Sequence, residues 1–580
     1  MILVFGGTTE GRRAAEVLEE AGRPFCYSTK TGEQDVVLHH GWRTDGAMDD
    51  KAMQAFCRAY GIRLVVDAAH PFAVRLHETI ARVARTMQLP VVRYERLYPP
   101  RDPQLEWIDD YAQVPTNLRS LLATTGVQSI GKLKYLEALG IKVVYRILNR
   151  ESSIRQAHEQ GACDGQLCYY PQLVEADAVL MKESGESGGF SEKVAEAKSR
   201  GMRIIVLRRP DLAACFTSQP YSQVDGPHGL RREVERLLPT FFPLHSGLTT
   251  GTCATAAAIA AVQRMLRGTM PQEVPVVLPN GETIQVAVGY GDGYAYCVKQ
   301  AGDDPDVTDG VEIRASVALS DHFEILGGAG VGRFTLLGFD FPPGEAAINK
   351  GPREMIRKNL EPFSILHSPC CITISVPHGE EIARKTFNPR LGIVGGISII
   401  GVSGIVKPFS EEAFIGSIRK CMQVAKASGA GQVVLNSGGK SERFLRQRYE
   451  GLPSQAFVQY GNYIGQALRM ADELGFPRVT LGVMLGKAVK LAEGQLDTHS
   501  RRGTMNPGFV RRMLLEAHCD GVDVGDITLA RELWDMIPAT GLEAFCRVVL
   551  RHSMAHCQPL VPRARLTLLL IADDGTIHSL

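Results

Sequence analysis

The sequence predicts an α/β protein whose N-terminal half contains two Rossmann-like parallel-sheet subdomains and whose C-terminal half is mixed α+β. Two observations predict this class. From residue 1 to about 240, short apolar strands alternate with segments of helical spacing, as in parallel sheets covered by helices. Beyond that point, hairpin signals are mixed with long helices and buried strands. Prolines and turn signals place the boundary at 240–246.

The N-terminal elements follow in order. An apolar strand over 1–5 precedes a helix over 10–21, whose apolar residues recur at helical spacing. Further buried strands are predicted over 63–68, 142–148, 178–181 and 203–207. Two sheets in this length imply a subdivision near residue 115. A short amphipathic helix over 231–238 ends the half.

In the C-terminal half, a helix is predicted over 253–266, with Thr249 or Thr250 near its N-cap. Pro279-Asn280-Gly281 between strand-forming runs indicates a hairpin. An amphipathic helix over 411–427 and buried strands over 432–435 and 479–485 follow. A final hairpin pairs 566–572 with 576–580.

Composition excludes several classes of protein. The 580 residues carry a net charge of +1, so we expect no nucleic-acid partner. The N-terminus lacks a secretory leader, and no apolar run approaches the ~20 residues of a membrane span. The 13 cysteines form no C-x-x-C pair, which favours reduced thiols and a cytoplasmic protein. We predict no protein-bound metal, and the oligomeric state, a homo-oligomer included, stays open.

The first strand leads into a glycine-rich turn that opens a helix. Such turns let the backbone approach a phosphate, and the helix N-terminus offers free N–H groups. We expect a nucleotide cofactor to be bound by Gly6, Gly7, Thr8, Thr9, Glu10 and Gly11. The spacing is not G-x-G-x-x-G, and a ligand-free turn is the alternative. The next strand ends at Ser28-Thr29-Lys30 without an acidic residue, which favours NADPH over NADH.

Three further segments carry chemistry in this half. His70 lies just past the carboxyl end of a strand, where open α/β sheets bind ligands. Arg93-Tyr94-Glu95-Arg96 ends the next strand. The segment 182–189, Lys-Glu-Ser-Gly-Glu-Ser-Gly-Gly, joins a strand to a helix and is typical of an anion-binding nest.

Taken in order, these segments resemble the precorrin-6A reductase family over residues 1 to about 238. The resemblance rests on Gly-Gly-Thr-x-Glu-Gly, Asp-Ala-x-His-Pro-Phe-Ala, Arg-Tyr-x-Arg, Thr124-Thr125-Gly126 and Lys-x-Ser-Gly-x-x-Gly-Gly-Phe. It implies hydride transfer from a reduced nicotinamide to the macrocycle, with His70, Tyr94 or a water as acid. The residues we expect at the substrate's carboxylates are Arg93, Arg96, Arg146, Lys182, Ser184 and Gly185.

Four segments stand out in the C-terminal half. Thr249, Thr250 and Gly251 open a helix and suit an anion or a nucleotide edge. An acidic loop follows with Asp303, Asp304 and Asp306, for which a solvated turn is the alternative. A glycine-rich run holds Gly395 and Gly396 beside the polar Asn388 and Arg390. The fourth is Asp497-Thr498-His499-Ser500-Arg501.

Together these segments closely resemble the cobalt-precorrin-5B methyltransferase family over about 246–505, with a fold particular to that family. The resemblance implies methylation of ring carbon 1 by S-adenosylmethionine, bound by Thr249, Thr250, Gly251, Asp306, Gly395 and Gly396. It makes Asp303, Asp304 and His499 candidates for proton removal, and Asn388 and Arg390 candidates for substrate contact. Met484 stands where the family usually has His, and Lys407 where it has Glu.

The two implied reactions are consecutive, so the sequence predicts a bifunctional enzyme of corrin-ring biosynthesis. Its partners would be small corrinoids, and cobalt would enter only as part of the substrate. Two alternatives stay open. One is an active reductase whose second half binds corrinoid without catalysis, and the other is a non-catalytic corrinoid carrier.

Overall fold

The structure, a computed structural model, describes the chain except for residues 31, 33, 173, 217–219, 366–369, 500–504, 520, 526 and 528. The chain divides into two compact units. The first unit comprises Met1–His245 and Val277–Gln285, and the second comprises Ser246–Val276 and Val286–Leu580. No helix within the described residues is long and apolar enough to cross a membrane.

The first unit alternates strands and helices. Its strands are β1 (Ile2–Phe5), β2 (Cys26–Thr29), β3 (Trp42–Asp45), β4 (Leu64–Asp67), β5 (Val91–Tyr94), β6 (Glu106–Ile108), β7 (Ser120–Ala123), β8 (Lys142–Ile147), β9 (Leu167–Tyr169), β10 (Ala178–Lys182), β11 (Arg203–Leu207) and β12 (Tyr221–Val224). Its helices are α1 (Thr9–Glu19), α2 (Asp50–Ala59), α3 (Val74–Met87), α4 (Ile130–Ala138), α5 (Glu151–Glu159), α6 (Phe190–Ser199) and α7 (Pro227–Leu237).

These strands form two six-stranded parallel sheets, which confirms the predicted pair. The first sheet has the order β12-β5-β4-β1-β2-β3, and the second has the order β6-β11-β10-β7-β8-β9. The chain passes from the first sheet to the second between β5 and β6, because β6 pairs with β11. Residue 115, near which a subdivision was expected, therefore lies between two strands of the second sheet. The chain then returns to the first sheet, where β12 pairs with β5.

Each of these sheets has one point at which the strand order reverses. In the first sheet the reversal lies between β1 and β4, and in the second between β7 and β10. Loops leaving neighbouring strands diverge there and open a crevice outside the carboxyl ends, where α/β proteins bind ligands. The glycine-rich turn after β1 and the segment after β10 both lie at such points.

The second unit is mixed. Its strands are β13 (Gly247–Leu248), β14 (Glu273–Val277), β15 (Thr283–Ala287), β16 (Gly289–Gly291), β17 (Tyr294–Val298), β18 (Glu312–Leu319), β19 (Glu324–Gly327), β20 (Gly330–Val331), β21 (Arg333–Phe334), β22 (Cys370–Ser375), β23 (Ile393–Val394), β24 (Gly396–Ile397), β25 (Ile405–Val406), β26 (Gln432–Asn436), β27 (Phe457–Gln459), β28 (Arg478–Met484), β29 (Arg565–Ile571) and β30 (Ile577–Ser579). The tip of the β14–β15 hairpin belongs to the first unit.

The helices that follow are α8 (Thr250–Arg267), α9 (Lys350–Leu360), α10 (Gly379–Ala383), α11 (Glu411–Ala427), α12 (Gly439–Arg448), α13 (Ile464–Glu473), α14 (Leu485–Ala492), α15 (Pro507–Glu516), α16 (Leu533–Met536) and α17 (Ala539–Cys557). Helix α8 is capped by Thr249, as predicted, and is buried from Thr250 to Val262. Its alanines allow close packing on β17 and β18.

Two five-stranded sheets organise this unit. One has the order β16-β17-β18-β22-β19 and is antiparallel except for the parallel pair β19–β22. The other has the order β27-β26-β28-β29-β30, with four parallel strands and an antiparallel final hairpin. Its strand order reverses between β26 and β28. These mixed sheets agree with the predicted α+β class.

Candidate functional site

The glycine-rich turn lies at the reversal point of the first sheet. The Cβ of a residue replacing Gly6 would lie 2.1 Å from the Tyr27 ring, and Gly7 has a φ of +86°. Thr8 caps α1 by accepting the Gly11 N–H at 2.9 Å, and its hydroxyl donates to the Ala68 carbonyl at 2.6 Å. The turn is therefore held close to the loop after β4.

Gln34 makes the hydrogen bonds to this turn that a ligand would make. Its Oε1 accepts the Gly7 N–H at 3.0 Å, and its Nε2 donates to the Thr8 carbonyl at 2.7 Å. Arg43 is close by and donates to the Gln34 carbonyl at 2.5 Å. A phosphate that displaced the Gln34 amide would meet a backbone N–H and a guanidinium, so the turn fits a nucleotide. Half-buried Thr9 opens α1 beside it.

Glu10 points away from the turn, toward the second sheet. It is buried, accepts from Arg96 Nε at 3.0 Å and receives a hydrogen bond from the Ser187 hydroxyl. The structure therefore makes Glu10 a link between the two loop systems, and its expected contact with the cofactor stays a prediction.

The expected preference for NADPH rests on the absence of an acidic residue near the end of β2. The sequence has no acidic residue at the end of β2, but the fold brings Asp45 there from β3. The Thr29 hydroxyl donates to Asp45 Oδ1 at 2.6 Å. A carboxylate at this edge suits a ribose hydroxyl rather than a 2′-phosphate.

A cavity of about 350 Å³ lies at the reversal point of the second sheet. The loops after β7 and β10 form its walls, and two residues from the first sheet complete it. The lining residues are His70, Arg96, Thr124, Thr125, Gly126, Met181, Lys182, Ser184, Gly188 and Lys193. Thr124-Thr125-Gly126, His70, Arg96, Lys182 and Ser184 were all singled out in the sequence, and the fold gathers them from segments far apart in the chain.

The cavity is electropositive. Burial lowers the pKa of Lys182 to about 8, and repulsion from Lys132 adds to this. Burial likewise lowers the pKa of Lys193, whose ammonium donates to the Gly188 carbonyl at 2.6 Å. Arg96 is paired with Glu10 and donates to the Ser184 carbonyl at 2.7 Å. The lining thus offers two ammonium groups and suits a ligand that carries carboxylates.

His70 faces the same cavity as a neutral ring. Its Nδ1 accepts the Phe72 N–H at 3.2 Å. Burial lowers the pKa of His70 to about 3, and the charges of Arg96 and Lys182 lower it further. At neutral pH, His70 therefore has no acidic proton to donate, although it can accept or orient through hydrogen bonds.

A buried charged network lies beneath His70. His77 Nδ1 lies 2.6 Å from Asp67 Oδ2, and His77 Nε2 lies 3.0 Å from the His70 carbonyl oxygen. Arg93 pairs with Asp67 at 3.0 Å and with Glu95 at 3.2 Å, and its side chain is 1% exposed. Arg93 thus belongs to this network and not to the cavity surface, which corrects the expectation that it contacts substrate. His77 gave no sequence signal because it lies inside a helix.

Three other predicted residues lie away from the cavity lining. Tyr94 is buried in the core of the first sheet, and burial raises its pKa, so it is not placed to act as an acid. Arg146 is buried on β8, 5.6 Å from the centre of the Tyr170 ring. Gly185 has a φ of +71°, and an added Cβ would lie 2.9 Å from Arg96 Cβ. Its role is to let the loop pass Arg96.

In the second unit, the turn that opens α8 is closed by protein groups. The Gly251 N–H donates to the Ile400 carbonyl at 2.9 Å, and the Thr249 N–H to the Gly404 carbonyl at 3.1 Å. The Thr250 hydroxyl bonds the backbone of Ile400. Thr249, Thr250 and Gly251 therefore hold the glycine-rich run, and their expected contact with the cofactor stays a prediction.

The acidic loop is likewise used internally. Asp306 accepts from the buried Lys299 ammonium at 2.8 Å and from the Thr308 hydroxyl at 2.7 Å. Burial opposes ionisation of Asp306, but Lys299 holds its pKa below the usual value. Asp304 accepts the Phe409 N–H at 3.0 Å, while Asp303 is exposed. Asp306 is a structural partner of Lys299, and its expected cofactor role stays a prediction.

The glycine-rich run packs against its own neighbours. Asn388 Nδ2 donates to the Gly396 carbonyl at 3.0 Å, and a Cβ at Gly396 would lie 2.1 Å from the Gly330 carbonyl oxygen. Gly395 has a φ of +81° and open space at its Cβ position. Arg390 reaches the carboxyl end of the last sheet, where it pairs with Glu442 at 2.6 Å.

The carboxyl ends of the parallel strands β26 and β28 form an edge of this sheet that the sequence did not predict as a site. Asn436 ends β26 fully buried, and its Oδ1 has no hydrogen-bond partner among the described residues. Gly438 and Gly439 follow, with nothing within 4 Å of an added Cβ. Lys487 donates to the Gly461 carbonyl across the edge. A buried strand followed by Ser-Gly-Gly before a helix was the signal that could have revealed it.

The fourth predicted segment lies close to this edge. Lys490 Nζ lies 3.4 Å from the Thr498 carbonyl oxygen, and the His499 N–H donates to Asp497 Oδ1 at 3.1 Å. Ser500 and Arg501 lie outside the described residues. Met484, in the place of the family's usual histidine, is half-buried and packs against the hydrophobic core.

Comparisons with known proteins assign both halves. A family model described as "Precorrin-6x reductase CbiJ/CobK" matches residues 1–226, and one described as CbiD matches residues 240–408. The cobalt-precorrin-5B C(1)-methyltransferase of Prosthecochloris aestuarii is 42% identical over 352 residues, which is 58% of this chain and 95% of the relative. This chain belongs to that methyltransferase family. It is joined to an N-terminal segment, residues 1–226, that matches the precorrin-6x reductase family model.

A further relative and two solved structures are similar to parts of this chain. The cobalt-precorrin-5B C(1)-methyltransferase of Geobacillus kaustophilus is 40% identical over 328 residues, covering 53% of this chain and 88% of the relative. The solved structure of a cobalamin biosynthesis protein (cbiD) from Archaeoglobus fulgidus is 29% identical and covers 45% of this chain and 83% of its own, with a TM-score of 0.26. A CobK precorrin-6A reductase structure is 17% identical and covers 41% and 97%, with a TM-score of 0.33.

Proposed function

We propose that the protein carries out two consecutive steps of corrin-ring biosynthesis. Residues 246–580 methylate cobalt-precorrin-5B at ring carbon 1 with S-adenosylmethionine, giving cobalt-precorrin-6A. Residues 1–240 then reduce that product with a reduced nicotinamide, giving cobalt-precorrin-6B. The observation that carries the proposal is the match to 95% of a methyltransferase at 42% identity, joined to a reductase match over 1–226.

In the reductase half, the cofactor and the macrocycle would bind at two different sites. The turn at Gly6 and Gly7 would hold the pyrophosphate of the nicotinamide cofactor once the Gln34 amide is displaced. The bound cofactor supplies a hydride. A cavity of about 350 Å³ is at the small end of ligand pockets, ~300–1,000 Å³. It would therefore take one edge of the macrocycle, with Lys193 and Arg96 facing the rim carboxylates.

In the methyltransferase half, one buried polar atom at the carboxyl edge of the parallel sheet, Asn436 Oδ1, has no hydrogen-bond partner among the described residues. Asn436 Oδ1, Ser437 and the open Gly438-Gly439 turn lie at the reversal point of a parallel sheet, beside Lys487. These groups suit the amino-acid end of S-adenosylmethionine, which needs both an acceptor and a cation. Here the bound cofactor supplies the methyl group, and the protein's task is to align it with the ring carbon. His499 and Asp303 stay candidates for proton removal.

Mass spectrometry tests the proposal directly. Cobalt-precorrin-5B is incubated anaerobically with the full-length protein and S-adenosylmethionine, and NADPH or NADH is added in a second step. We expect a gain of one methyl group in the first step and of two hydrogens only after the nicotinamide is added. Both halves and their order would then be established.

The same assay separates the alternatives. If no methyl group is gained but supplied cobalt-precorrin-6A is still reduced, the second half binds corrinoid without catalysis. If the macrocycle binds and neither cofactor is consumed, the protein is a carrier. A Met484→His variant that restores methylation in the first case would trace the loss to that position.

A further inference from the structure

The reduction requires a proton source, and the structure identifies one. This inference rests on the proposed reductase function. Adding a hydride to one carbon of a double bond leaves the electron pair on the other carbon, which must take up a proton. The donor must therefore lie in the cavity that receives the macrocycle and must itself carry an acidic proton.

The other cavity groups do not meet both conditions. His70 is a neutral ring at neutral pH, as its environment dictates. Arg96 is ion-paired with Glu10 and retains its proton at any physiological pH. Tyr94, the other residue considered from the sequence, is buried in the core of the first sheet.

Lys182 and Lys193 remain, and their surroundings differ. Lys193 is held by the Gly188 carbonyl at 2.6 Å, which directs its ammonium to the loop. The Lys182 ammonium makes no hydrogen bond or ion pair with any described residue, and it lies 5.1 Å from the centre of the Phe72 ring. Lys182 ends β10, the strand that borders the reversal point. Its protons are therefore available to a ligand in the cavity.

We propose that Lys182 is the general acid of the reduction and donates a proton from Nζ to the macrocycle carbon adjacent to the one that receives the hydride. The double bond becomes a single bond with two new C–H bonds, and the reduced nicotinamide becomes oxidised. Lys182 is left as a neutral amine and regains a proton from solvent after the product leaves.

The charges around Lys182 support this role. The positively charged groups near it are Lys132 on α4, Lys193 on α6 and Arg96 after β5, and His70 is neutral. Burial in this setting lowers the pKa of Lys182 to about 8. The group is then largely protonated at neutral pH, yet releases its proton far more readily than an ordinary lysine.

The test separates proton donation from carboxylate binding. Reduction of cobalt-precorrin-6A is followed by nicotinamide oxidation from neutral to alkaline pH for the wild type, Lys182→Ala, Lys182→Gln and Lys193→Ala. We expect the wild-type kcat/KM, which reports ionisation of the free enzyme, to fall above a pH of about 8 and so to give the pH profile an alkaline limb. The two Lys182 variants should lose about 100-fold or more in kcat and lack this alkaline limb. Added methylamine should partly restore Lys182→Ala.

Lys193→Ala is the matched control, because Lys193 lines the same cavity and is also cationic. We expect it to raise KM and to keep the alkaline limb. If Lys182→Ala instead raises KM while kcat and the limb persist, Lys182 only binds substrate and the proposal is overturned. Absence of reduction by the wild type would overturn the reductase assignment itself. Binding of cobalt-precorrin-6A to Lys182→Ala and Lys182→Gln is measured separately. A variant that does not bind the macrocycle is treated as misfolded, and the kinetics of the other variant test the proposal.

Discussion

At the scale of single residues, the first unit contains a buried network of charged and polar groups around Asp67. Both ring nitrogens of His77 face oxygen acceptors, the Asp67 carboxylate and the His70 carbonyl. Burial opposes ionisation of Asp67, but Arg93 and His77 hold its pKa below the usual value. The Arg93 guanidinium is paired with both Asp67 and Glu95, and a buried charge is stable only when it is paired and hydrogen-bonded in this way. Because His77 contacts the His70 carbonyl, the network also fixes the His70 backbone beside the cavity.

Removing one member of this network should be costly. We expect Arg93→Ala to lower the free energy of unfolding by about 3–5 kcal/mol, because it leaves a buried carboxylate uncompensated. Urea denaturation measures the change. Arg82→Ala is the control, since Arg82 and Asp50 form an exposed pair at 2.8 Å whose loss should change the free energy of unfolding little. Equal effects of the two substitutions would contradict the assignment of Arg93 to a buried network.

Lys487 makes the stability of the second unit depend on pH. Burial lowers the pKa of Lys487 to about 8, and Lys490 lowers it further. The unfolded lysine, with a pKa of ~10.4, binds more protons than the folded one between these two values, so stability rises with pH across that window. We expect the urea midpoint of the wild type to increase from pH 8 toward 10. Lys487→Met should flatten this increase, and an unchanged slope in the variant would refute the assignment.

At the scale of elements, two glycines inside helices differ in the space that an added Cβ would have. In α1, a Cβ at Gly11 would lie 2.6 Å from Gly6 Cα, which is backbone and cannot rotate away. In α11, a Cβ at Gly416 would meet nothing within 4 Å. The same substitution should therefore act in opposite directions in the two helices.

We expect Gly416→Ala to stabilise the protein by about 0.5–1 kcal/mol, because alanine favours the helix. Gly11→Ala should destabilise it by about 1–3 kcal/mol and weaken nicotinamide binding, because the turn must open to admit the methyl group. Thermal unfolding and titration with NADPH and NADH measure the two effects. A stabilising Gly11→Ala would show that the turn is looser than the structure indicates.

At the scale of the whole molecule, the boundary between the two family segments is not the boundary between the two compact units. Glu282 lies within the segment 240–408 that matches the methyltransferase family, yet it belongs to the first unit. It is 1% exposed, and its Oε2 accepts the N–H groups of His228 and Gly229 at 3.0 Å each. A carboxylate in this position satisfies the free N–H groups at the start of α7.

Glu282→Ala should therefore weaken the reductase rather than the methyltransferase. We expect a loss of about 1–3 kcal/mol from the first unit, because two buried N–H groups lose their acceptor. Heat inactivation of each activity in the same preparation measures the effect, and Glu273→Ala, exposed on the same hairpin, is the control. Preferential loss of methyl transfer would contradict this assignment. A reductase truncated at residue 245 should show the same weakness.

Local sequence patterns were enough to predict the parallel-sheet class of the first half, the start of α8 near Thr249 or Thr250, the hairpins and the two families. These features depend on periodicity, turn residues and motif order, which can be read along the chain. Which polar residues are available for chemistry became clear only in the folded protein. Arg93, Asp306 and Thr249 are bonded within the protein, while Lys182 and Lys193 line a cavity. The physical reason is that a side chain's partners come from distant segments, as when Arg96 reaches Ser184, 88 residues away.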